Sequence, residues 1–273
     1  MKRLQLFEFN EAAWLPATLR ALITDYLVCL TRMTGAFELR LRLLAQALRH
    51  SSQPQRIVDL CSGSGGPWHH LADRIDRRTP EPIEIILTDL YPETAEHQQC
   101  PPGVSLHDQP LDATDSEARL AGLQTLFNAF HHFPPQQAKA VLARAVAQGE
   151  PIAIMELLQR RWQMLPLIVL TPLMVLLLTP WIRPFRWWRL ALTYLLPLAP
   201  LLITWDSLVS WLRCYRPEEL LELSRQIDAS HFHWEAGSYW YRGAPVTYLV
   251  GYPVSECDPA DAAGAPAAPT ADR

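Results

Sequence analysis

Short apolar runs alternate with helical patterns over the first half of the chain. Apolar residues at helical spacing predict two helices within 11–50, a third from Trp68 to about Arg77 and a fourth over 135–148. Strand-like runs lie between and beyond these helices, at 57–60, 83–88, 104–106, 125–130 and 152–157. Strands that alternate with helices predict a parallel sheet covered by helices on both faces.

The pattern changes near the end of the chain. The runs 231–236 and 246–252 are separated only by a turn-like stretch that contains Gly237 and Gly243, which predicts a closing antiparallel hairpin. From about Glu256 the sequence is mostly Ala, Pro and Asp without periodicity, so we expect a disordered tail.

Two uncharged runs, 164–180 and 190–205, separate the fifth strand from the hairpin. Arg183, Arg186 and Arg189 lie at their join, among the aromatic residues Trp181, Phe185, Trp187 and Trp188. Uncharged runs flanked by arginine and tryptophan are typical of a membrane interface. The alternative is that both runs are core helices of a soluble protein.

The length and flanks of these runs favour shallow insertion. Seventeen helical residues are about 25 Å long, against roughly 30 Å of hydrocarbon. Both flanks belong to one sheet, so the chain must return to the side that it left. Two full spans would place the three arginines on the far side, against the positive-inside tendency. We therefore expect a helical hairpin within one leaflet, with two short spans as the alternative.

These patterns divide the chain into four regions. They are an N-terminal helical region (1–50), an α/β domain (51–160 and 206–255), an apolar insertion (161–205) and the tail (256–273).

Composition narrows the classes of function. The chain has 273 residues, of which 49% are hydrophobic and 19% charged, and a formal net charge of -4. It can therefore build a large core, and its near-neutral balance argues against a dedicated nucleic-acid binder. The five scattered cysteines form no Cys-x-x-Cys pair, so we expect reduced thiols and no zinc or disulfide site. The N-terminus lacks a continuous apolar core, which argues against a cleaved signal peptide and places the α/β domain in the cytoplasm.

A glycine-rich turn follows the first predicted strand. Gly63 and Gly65 let a ligand approach the backbone closely, just after Asp59. Asp89 ends the second strand at the same sheet edge, where a carboxylate accepts hydrogen bonds from ribose hydroxyls. A dinucleotide dehydrogenase requires Gly-x-Gly-x-x-Gly, but Trp68 follows this turn, so hydride transfer is disfavoured.

The order of these motifs resembles that of the class I S-adenosylmethionine-dependent methyltransferases, over about 50–160 and again over 230–253. The resemblance implies an α/β, Rossmann-like three-layer sandwich. Its seven-stranded sheet would be mostly parallel with an antiparallel C-terminal hairpin, here joined by N-terminal helices and the apolar insertion. It also implies S-adenosylmethionine as the cofactor and implies no metal.

The resemblance assigns cofactor contacts residue by residue. Asp59 and the turn of Cys61, Gly63 and Gly65 would hold the methionine moiety, with Cys61 in place of the family's first glycine. Because nothing basic adjoins Cys61 in sequence, we interpret it as a packing residue. The remaining contacts would be Asp89 on the ribose, Leu90 against the adenine, Asp112 and Ala113 beside the adenine amino group, and Asn128 where cofactor and acceptor meet.

His131 and His132 follow the fourth strand at this edge. A histidine with an ordinary pKa of about 6.5 can deprotonate an acceptor hydroxyl, so the pair are candidate catalytic residues. The alternative is that they cap the strand. The Asn-Pro-Pro-Tyr type of sequence associated with N-methylation of bases or amides is absent, which disfavours that reaction.

The sequence therefore predicts a membrane-associated methyltransferase for an apolar small-molecule or lipid-like acceptor, with membrane lipid as a second partner. Two alternatives remain. One is a methyltransferase for a soluble metabolite, in which the insertion is a lid or a dimer surface. The other is a catalytically silent, cofactor-binding membrane scaffold. The acceptor atom and the oligomeric state stay open.

Overall fold

A seven-stranded sheet forms the centre of the protein in a computed structural model that describes residues 2–12, 14–63, 65–92, 100–115 and 117–254. Its strands are β1 (Arg56–Asp59), β2 (Glu84–Leu87), β3 (Val104–Leu106), β4 (Leu123–Phe127), β5 (Ile152–Glu156), β6 (Phe232–Tyr241) and β7 (Ala244–Pro253). They are ordered β3-β2-β1-β4-β5-β7-β6. Only the β5–β7 and β6–β7 pairs are antiparallel among them. The predicted fold class is confirmed, whereas the predicted tail, 256–273, lies outside the described residues.

Helices cover both faces of the sheet. The helices of the chain are α1 (Ala17–Thr34), α2 (Leu41–Leu48), α3 (Trp68–Asp76), α4 (Pro135–Gln148), α5 (Leu165–Leu178), α6 (Trp187–Leu190), α7 (Leu198–Arg213) and α8 (Pro217–Arg225). Helices α2 and α3 pack on one face of the sheet, and α4 and α8 pack on the other. The central strands β4 and β5 are buried along their whole length, as expected for parallel strands between two helical layers.

Two predicted boundaries differ from the structure. Strand β4 ends at Phe127 rather than at 130, because residues 130–132 turn into a short 3₁₀ helix. The closing hairpin is longer than predicted, with ten residues in each strand. Gly237 lies inside β6 opposite Tyr248, and the turn consists of Arg242 and Gly243, both with positive φ. That geometry is typical of a tight two-residue hairpin turn.

The N-terminal helix α1 packs against the apolar helices rather than against the sheet. Leu22 and Ile23 of α1 share a buried cluster with Val175 of α5 and with Leu202 and Ile203 of α7. The region boundaries stay a prediction, but these contacts join α1, α5 and α7 in one helical unit, which we call the apolar unit.

One helical stretch of the described residues is long and apolar enough to cross a membrane. It runs from Trp162 to Trp181, with a mean hydropathy of 2.0 and 28% of its 18-residue window buried. The second apolar run is bent by 79° between Trp187–Leu195 and Leu198–Arg213. By length and composition, the chain therefore offers one such helix, or two if the bent pair counts as a span.

The three arginines at the join of the apolar runs differ in environment. Arg183 and Arg186 are exposed, whereas Arg189 is buried. The Arg189 guanidinium donates to the carbonyl oxygens of Ile182 and Pro184 and forms an ion pair with Asp25 of α1. Arg189 therefore holds the apolar unit together from the inside, a role that sequence spacing did not show.

We expect Asp25→Asn to destabilise the apolar unit, because the buried Arg189 charge loses its carboxylate. The free energy of unfolding should fall by about 1–3 kcal/mol, because Asp25 is partly exposed and water can hydrate the Arg189 guanidinium in part. Thermal unfolding of the detergent-solubilised protein measures this, with Asp73→Asn on the exposed face of α3 as control. Equal unfolding temperatures for the two variants would contradict the proposed role of the pair.

Candidate functional site

The glycine-rich turn is tied to both strands that flank β1. The backbone N–H of Leu60 donates to the Thr125 carbonyl at 2.8 Å, and the N–H of Ser62 donates to the Thr88 carbonyl at 3.0 Å. The Thr88 hydroxyl in turn donates to the carbonyl of Asp59 at 3.0 Å. The turn is thus fixed at the carboxyl edge of the sheet, where the order reverses between β2 and β4.

The turn residues have left-handed backbone conformations. Cys61, Gly63, Gly65 and Gly66 have φ values of 55°, 50°, 89° and 48°. A Cβ added at Gly63 or Gly66 would meet nothing within 4 Å, so the space above the turn is open. Cys61 adopts a conformation that side chains rarely take, at the position where the resemblance expects glycine.

Asp59 is the buried carboxylate of the site. Its Oδ1 accepts a hydrogen bond of 2.6 Å from the Thr125 hydroxyl. Burial, with a smaller effect of the Asp89 charge, raises the pKa of Asp59 to about 7 against the lowering effect of the Thr125 hydroxyl and the Trp68 indole. A cation placed beside this carboxyl would therefore stabilise its ionised form.

Asp89 closes the turn from the next strand. Its Oδ2 accepts the N–H of Gly63 at 2.9 Å, and its Oδ1 accepts the N–H of Tyr91 at 2.9 Å. Leu90, beside it, exposes 45% of its surface. The predicted cofactor residues Asp59, Gly63, Asp89 and Leu90 therefore lie around one edge.

Asp112 and Ala113 follow the third strand. The residue before them, Leu111, donates its N–H to the Asp89 carbonyl at 2.9 Å, which places both at the same edge. Asp112 is exposed, and its Oδ1 accepts the N–H and the hydroxyl of Thr114. Ala113 is buried.

The Cys61 thiol lies among the carboxylates of this edge. Burial, followed by the charges of Asp89, Asp59 and Asp112, raises the pKa of the thiol well above its usual value. Cys61 therefore stays a thiol and not a nucleophilic thiolate, which agrees with its interpretation as a packing residue.

Asn128 links the ends of β4 and β5. It has a φ of 52°, its N–H donates to the Met155 carbonyl at 2.9 Å, and its Oδ1 accepts the N–H of Leu157 at 2.8 Å. The side-chain oxygen is thus used by the protein's own backbone. A cofactor contact from Asn128 stays a prediction.

His131 lies buried between two carboxylates. Its Nδ1 is 2.7 Å from Oε2 of Glu156, and its Nε2 is 3.6 Å from Oε1 of Glu8. Burial alone would lower the pKa of His131, but the charges and hydrogen bonds of Glu156 and Glu8 raise it to about 10. At neutral pH the ring is an imidazolium that holds its proton between the two acids.

His132 is partly exposed and faces a second set of charges. Its Nδ1 lies 2.6 Å from Oε1 of Glu11 and 3.3 Å from the Arg213 guanidinium. The same guanidinium donates to Oε2 of Glu11 at 2.9 Å and lies 3.3 Å from Oε1 of Glu8. The two histidines, Glu8, Glu11, Glu156 and Arg213 form one connected set, which we call the charge network.

The charge network attaches the N-terminal segment, residues 3–11, to the strand edge. The Arg3 guanidinium donates to the carbonyl oxygens of His131 (2.8 Å), Phe133 (3.1 Å) and Arg213 (2.6 Å). Sequence reasoning missed Arg3, Glu8, Glu11, Glu156 and Arg213. No local signal marks them, because Glu11 and Arg213 are 202 positions apart.

Some ligand atoms of the charge network are close enough together to hold a cation. Glu8, His131 and His132 form one such group, and His131, Glu156 and Cys214 form another. The Arg213 guanidinium, however, already lies against both N-terminal acids and His132. The positive charge of Arg213 lies beside the donor atoms of the first group, and the Nδ1–H of the His131 imidazolium donates to Glu156. The expectation that the chemistry needs no metal stays a prediction.

No protein-family model matches the sequence, and no curated protein matches it. Solved structures do match. They include an O-methyltransferase family protein from Burkholderia thailandensis (16% identity over 88% of this chain, TM-score 0.46). Human N-acetylserotonin methyltransferase in complex with S-adenosylmethionine matches at 16% identity over 93% of this chain, with a TM-score of 0.48. This chain spans 61% and 63% of the lengths of those two proteins.

Magnesium protoporphyrin IX methyltransferase from Synechocystis, with bound S-adenosylhomocysteine, matches at 11% identity over 85% of this chain and 86% of its own, with a TM-score of 0.42. The chain is thus structurally similar to S-adenosylmethionine-dependent methyltransferases. At these identities the likeness concerns the fold alone. The fold assignment rests on the strand order and the antiparallel hairpin of this chain.

The charge network predicts a pH-dependent stability. Because the pKa of His131 is raised to about 10, its stabilisation is fully present below its ordinary value of about 6.5 and is lost as pH rises through about 10. At about pH 6, where His131 is charged and its partner carboxylates are ionised, His131→Gln should therefore lower the free energy of unfolding by about 3–5 kcal/mol, the scale of breaking a buried pair, and by progressively less towards pH 10.

Urea unfolding at several pH values measures this difference. His107→Gln is the control, because the hydrogen bond of His107 to the Leu87 carbonyl is donated by its backbone N–H, which the substitution retains. A His131→Gln difference that does not change with pH would contradict the imidazolium assignment.

Proposed function

We propose that this protein is an S-adenosylmethionine-dependent methyltransferase that acts on an apolar small-molecule or lipid-like acceptor at a membrane, with its catalytic domain in the cytoplasm. The observation that supports it best is the convergence of Asp59, the glycine turn, Asp89 and Asp112 at the edge where the strand order reverses. Ligands of open α/β sheets bind in the crevice at this place.

The residues of this edge fit the cofactor. The open space above Gly63 and Gly66 has room for a ligand against the backbone. In the proposed complex Asp59 and the turn hold the cationic methionine moiety, and Asp89 accepts hydrogen bonds from the ribose hydroxyls. Leu90 then covers the adenine, beside Asp112 and Ala113. The bound cofactor would supply an electrophilic methyl group on sulfur.

The residues of the chain would align the acceptor with the methyl group and its sulfur and would exclude water. The N-terminal segment and the charge network cover the edge beside His131 and His132. Because His131 already holds a proton between two acids, the geometry favours a positioning role for it. His132, which is partly exposed, keeps the predicted role of proton acceptor or acceptor-positioning residue.

Large apolar side chains on the outside of the apolar unit support the membrane part of the proposal. Exposed examples are Leu165, Val169, Leu173, Leu177, Trp181, Trp187, Leu195 and Leu201. Exposed apolar side chains in this number on one helical unit are typical of a membrane or protein contact. The alternatives remain a methyltransferase for a soluble metabolite, with the insertion as a lid or a dimer surface, and a silent membrane scaffold. The two experiments below separate them.

Asp89→Ala should weaken the binding of S-adenosylmethionine by about 1–3 kcal/mol, because ribose hydroxyls lose their acceptor and the turn loses the bond to Gly63. Calorimetry measures the affinity, with Asp108→Ala at an exposed position as control. Unchanged affinity in Asp89→Ala, or binding of NADH instead, would refute the cofactor assignment. Transfer of labelled methyl from the cofactor to an organic extract of the host then separates an enzyme from a silent scaffold.

Membrane association and its topology are tested with one reporter cysteine. Trp187→Cys, at a 77% exposed position, is made in a background without the five native cysteines. We expect the protein to sediment with membranes without detergent, and an impermeant thiol reagent to label the reporter only after cells are opened. Labelling of intact cells would establish two full spans, and recovery in the soluble fraction would favour the soluble alternative.

A further inference from the structure

A cationic cavity lies at the start of the long apolar helix, beyond the carboxyl end of β5. It has a volume of about 380 Å³ and is lined by Arg160, Arg161, Trp162, Arg216 and Glu218. Strand β5 ends four residues before Arg160, and helix α8 begins one residue after Arg216. The cavity therefore lies where the sheet, the apolar helix and α8 meet.

The arginines of this cavity outnumber the acids around them. Glu219 forms ion pairs with the buried Arg160 and, at 3.2 Å, with Arg216. Among the described residues, Glu218 is the only acid that lines the cavity itself. Of the residues that the structure describes, the guanidinium groups that line the cavity lie beside two carboxylates, those of Glu218 and Glu219.

Two of the guanidinium groups have unused hydrogen-bonding capacity. Arg161 is exposed, and no carboxylate of the described residues forms an ion pair with it. The Nε of Arg216 is buried and has no acceptor within the described part of the chain. A buried donor without an acceptor is costly, and an anion in the cavity would satisfy it. Planar guanidinium groups bind phosphate with two parallel hydrogen bonds.

The apolar side of the cavity indicates which kind of phosphate it binds. Trp162 is 68% exposed, and its ring lies 6.1 Å from that of Trp211. The exposed side chains of Leu165 and Val169 follow along the helix. Indole rings and arginines at the start of an apolar helix lie at headgroup level in membranes, with acyl chains beside the helix beyond them.

We propose that this cavity binds the phosphate group of an anionic phospholipid, with its acyl chains along the exposed face of α5. This inference rests on the membrane part of the proposed function. The bound headgroup fixes the depth and tilt of the catalytic domain on the bilayer. Arg160 follows the strand that ends in Glu156, which contacts His131, so the lipid site and the charge network share one short segment.

Vesicle flotation tests the proposal. The full chain is mixed with vesicles of phosphatidylcholine, with or without phosphatidylglycerol, at a fixed ionic strength. The test variant is Arg161→Gln with Arg216→Gln. The control is Arg42→Gln with Arg77→Gln, which removes the same charge from exposed positions in α2 and after α3. We expect the preference for vesicles that contain phosphatidylglycerol to fall about 10–30-fold in the test variant and to stay unchanged in the control.

A second variant separates a shaped phosphate site from general attraction of charge. Arg161→Lys with Arg216→Lys keeps both charges but loses the planar forks, so we expect it to lose most of the preference as well. Full preference in the lysine variant, or equal loss in test and control variants, would overturn the proposal. Release of the protein by inorganic phosphate at matched ionic strength would assign the cavity to a soluble phosphate and overturn the lipid assignment.

Binding to the neutral vesicles distinguishes failure of the proposed membrane association from failure of the proposed lipid site. Binding to phosphatidylcholine alone reports the apolar surface on which the proposed function depends, and all variants should share it. If no variant binds these vesicles, the membrane part of the proposed function fails. If all bind them and none prefers phosphatidylglycerol, only the lipid site fails.

Discussion

The buried imidazolium of His131 is the contact on which the candidate site depends. It carries a positive charge between Glu156, at the end of β5, and Glu8, in the N-terminal segment. Charges removed from water are tolerated only where each is compensated, and loss of one leaves another unpaired. Arg213 balances Glu8 and Glu11 in the same way. The N-terminal segment is therefore fixed to the sheet edge by charge rather than by apolar packing.

This charge network also determines where the apolar unit sits. Arg213 ends α7, and Asp206 of the same helix accepts the backbone N–H groups of Phe9 (2.7 Å) and Asn10 (3.0 Å). The segment then continues into α1, which packs back on α5 and α7. The apolar unit is thus attached to the charge network through the end of α7 and the segment that leads into α1. Under the proposed function, an acceptor that enters along the apolar unit therefore arrives next to the histidines.

The sequence predicted what is encoded locally. Each strand of the parallel part lies in a predicted apolar run. Asp59 ends its strand, and Asp89 and Asp112 follow theirs closely enough for the sheet to bring all three to one edge. The charge network was not predictable, because its members come from opposite ends of the chain and have no shared pattern. The Arg189–Asp25 ion pair was not predictable for the same reason, because its two residues are 164 positions apart. Gly237 was misassigned to a turn, although its place opposite Tyr248 makes it part of a strand.

The proton on His131 constrains the chemistry at this edge. Under the proposed function, a neutral hydroxyl acceptor must lose a proton on methylation, and a histidine with a pKa of about 10 cannot take that proton at neutral pH. Removal must then fall to another group, such as the partly exposed His132, or to water. An acceptor that arrives already ionised needs no base, and alignment alone suffices for its reaction. The His131–Glu156 pair therefore has a positioning role in the proposed reaction, and the identity of the acceptor decides whether any histidine moves a proton.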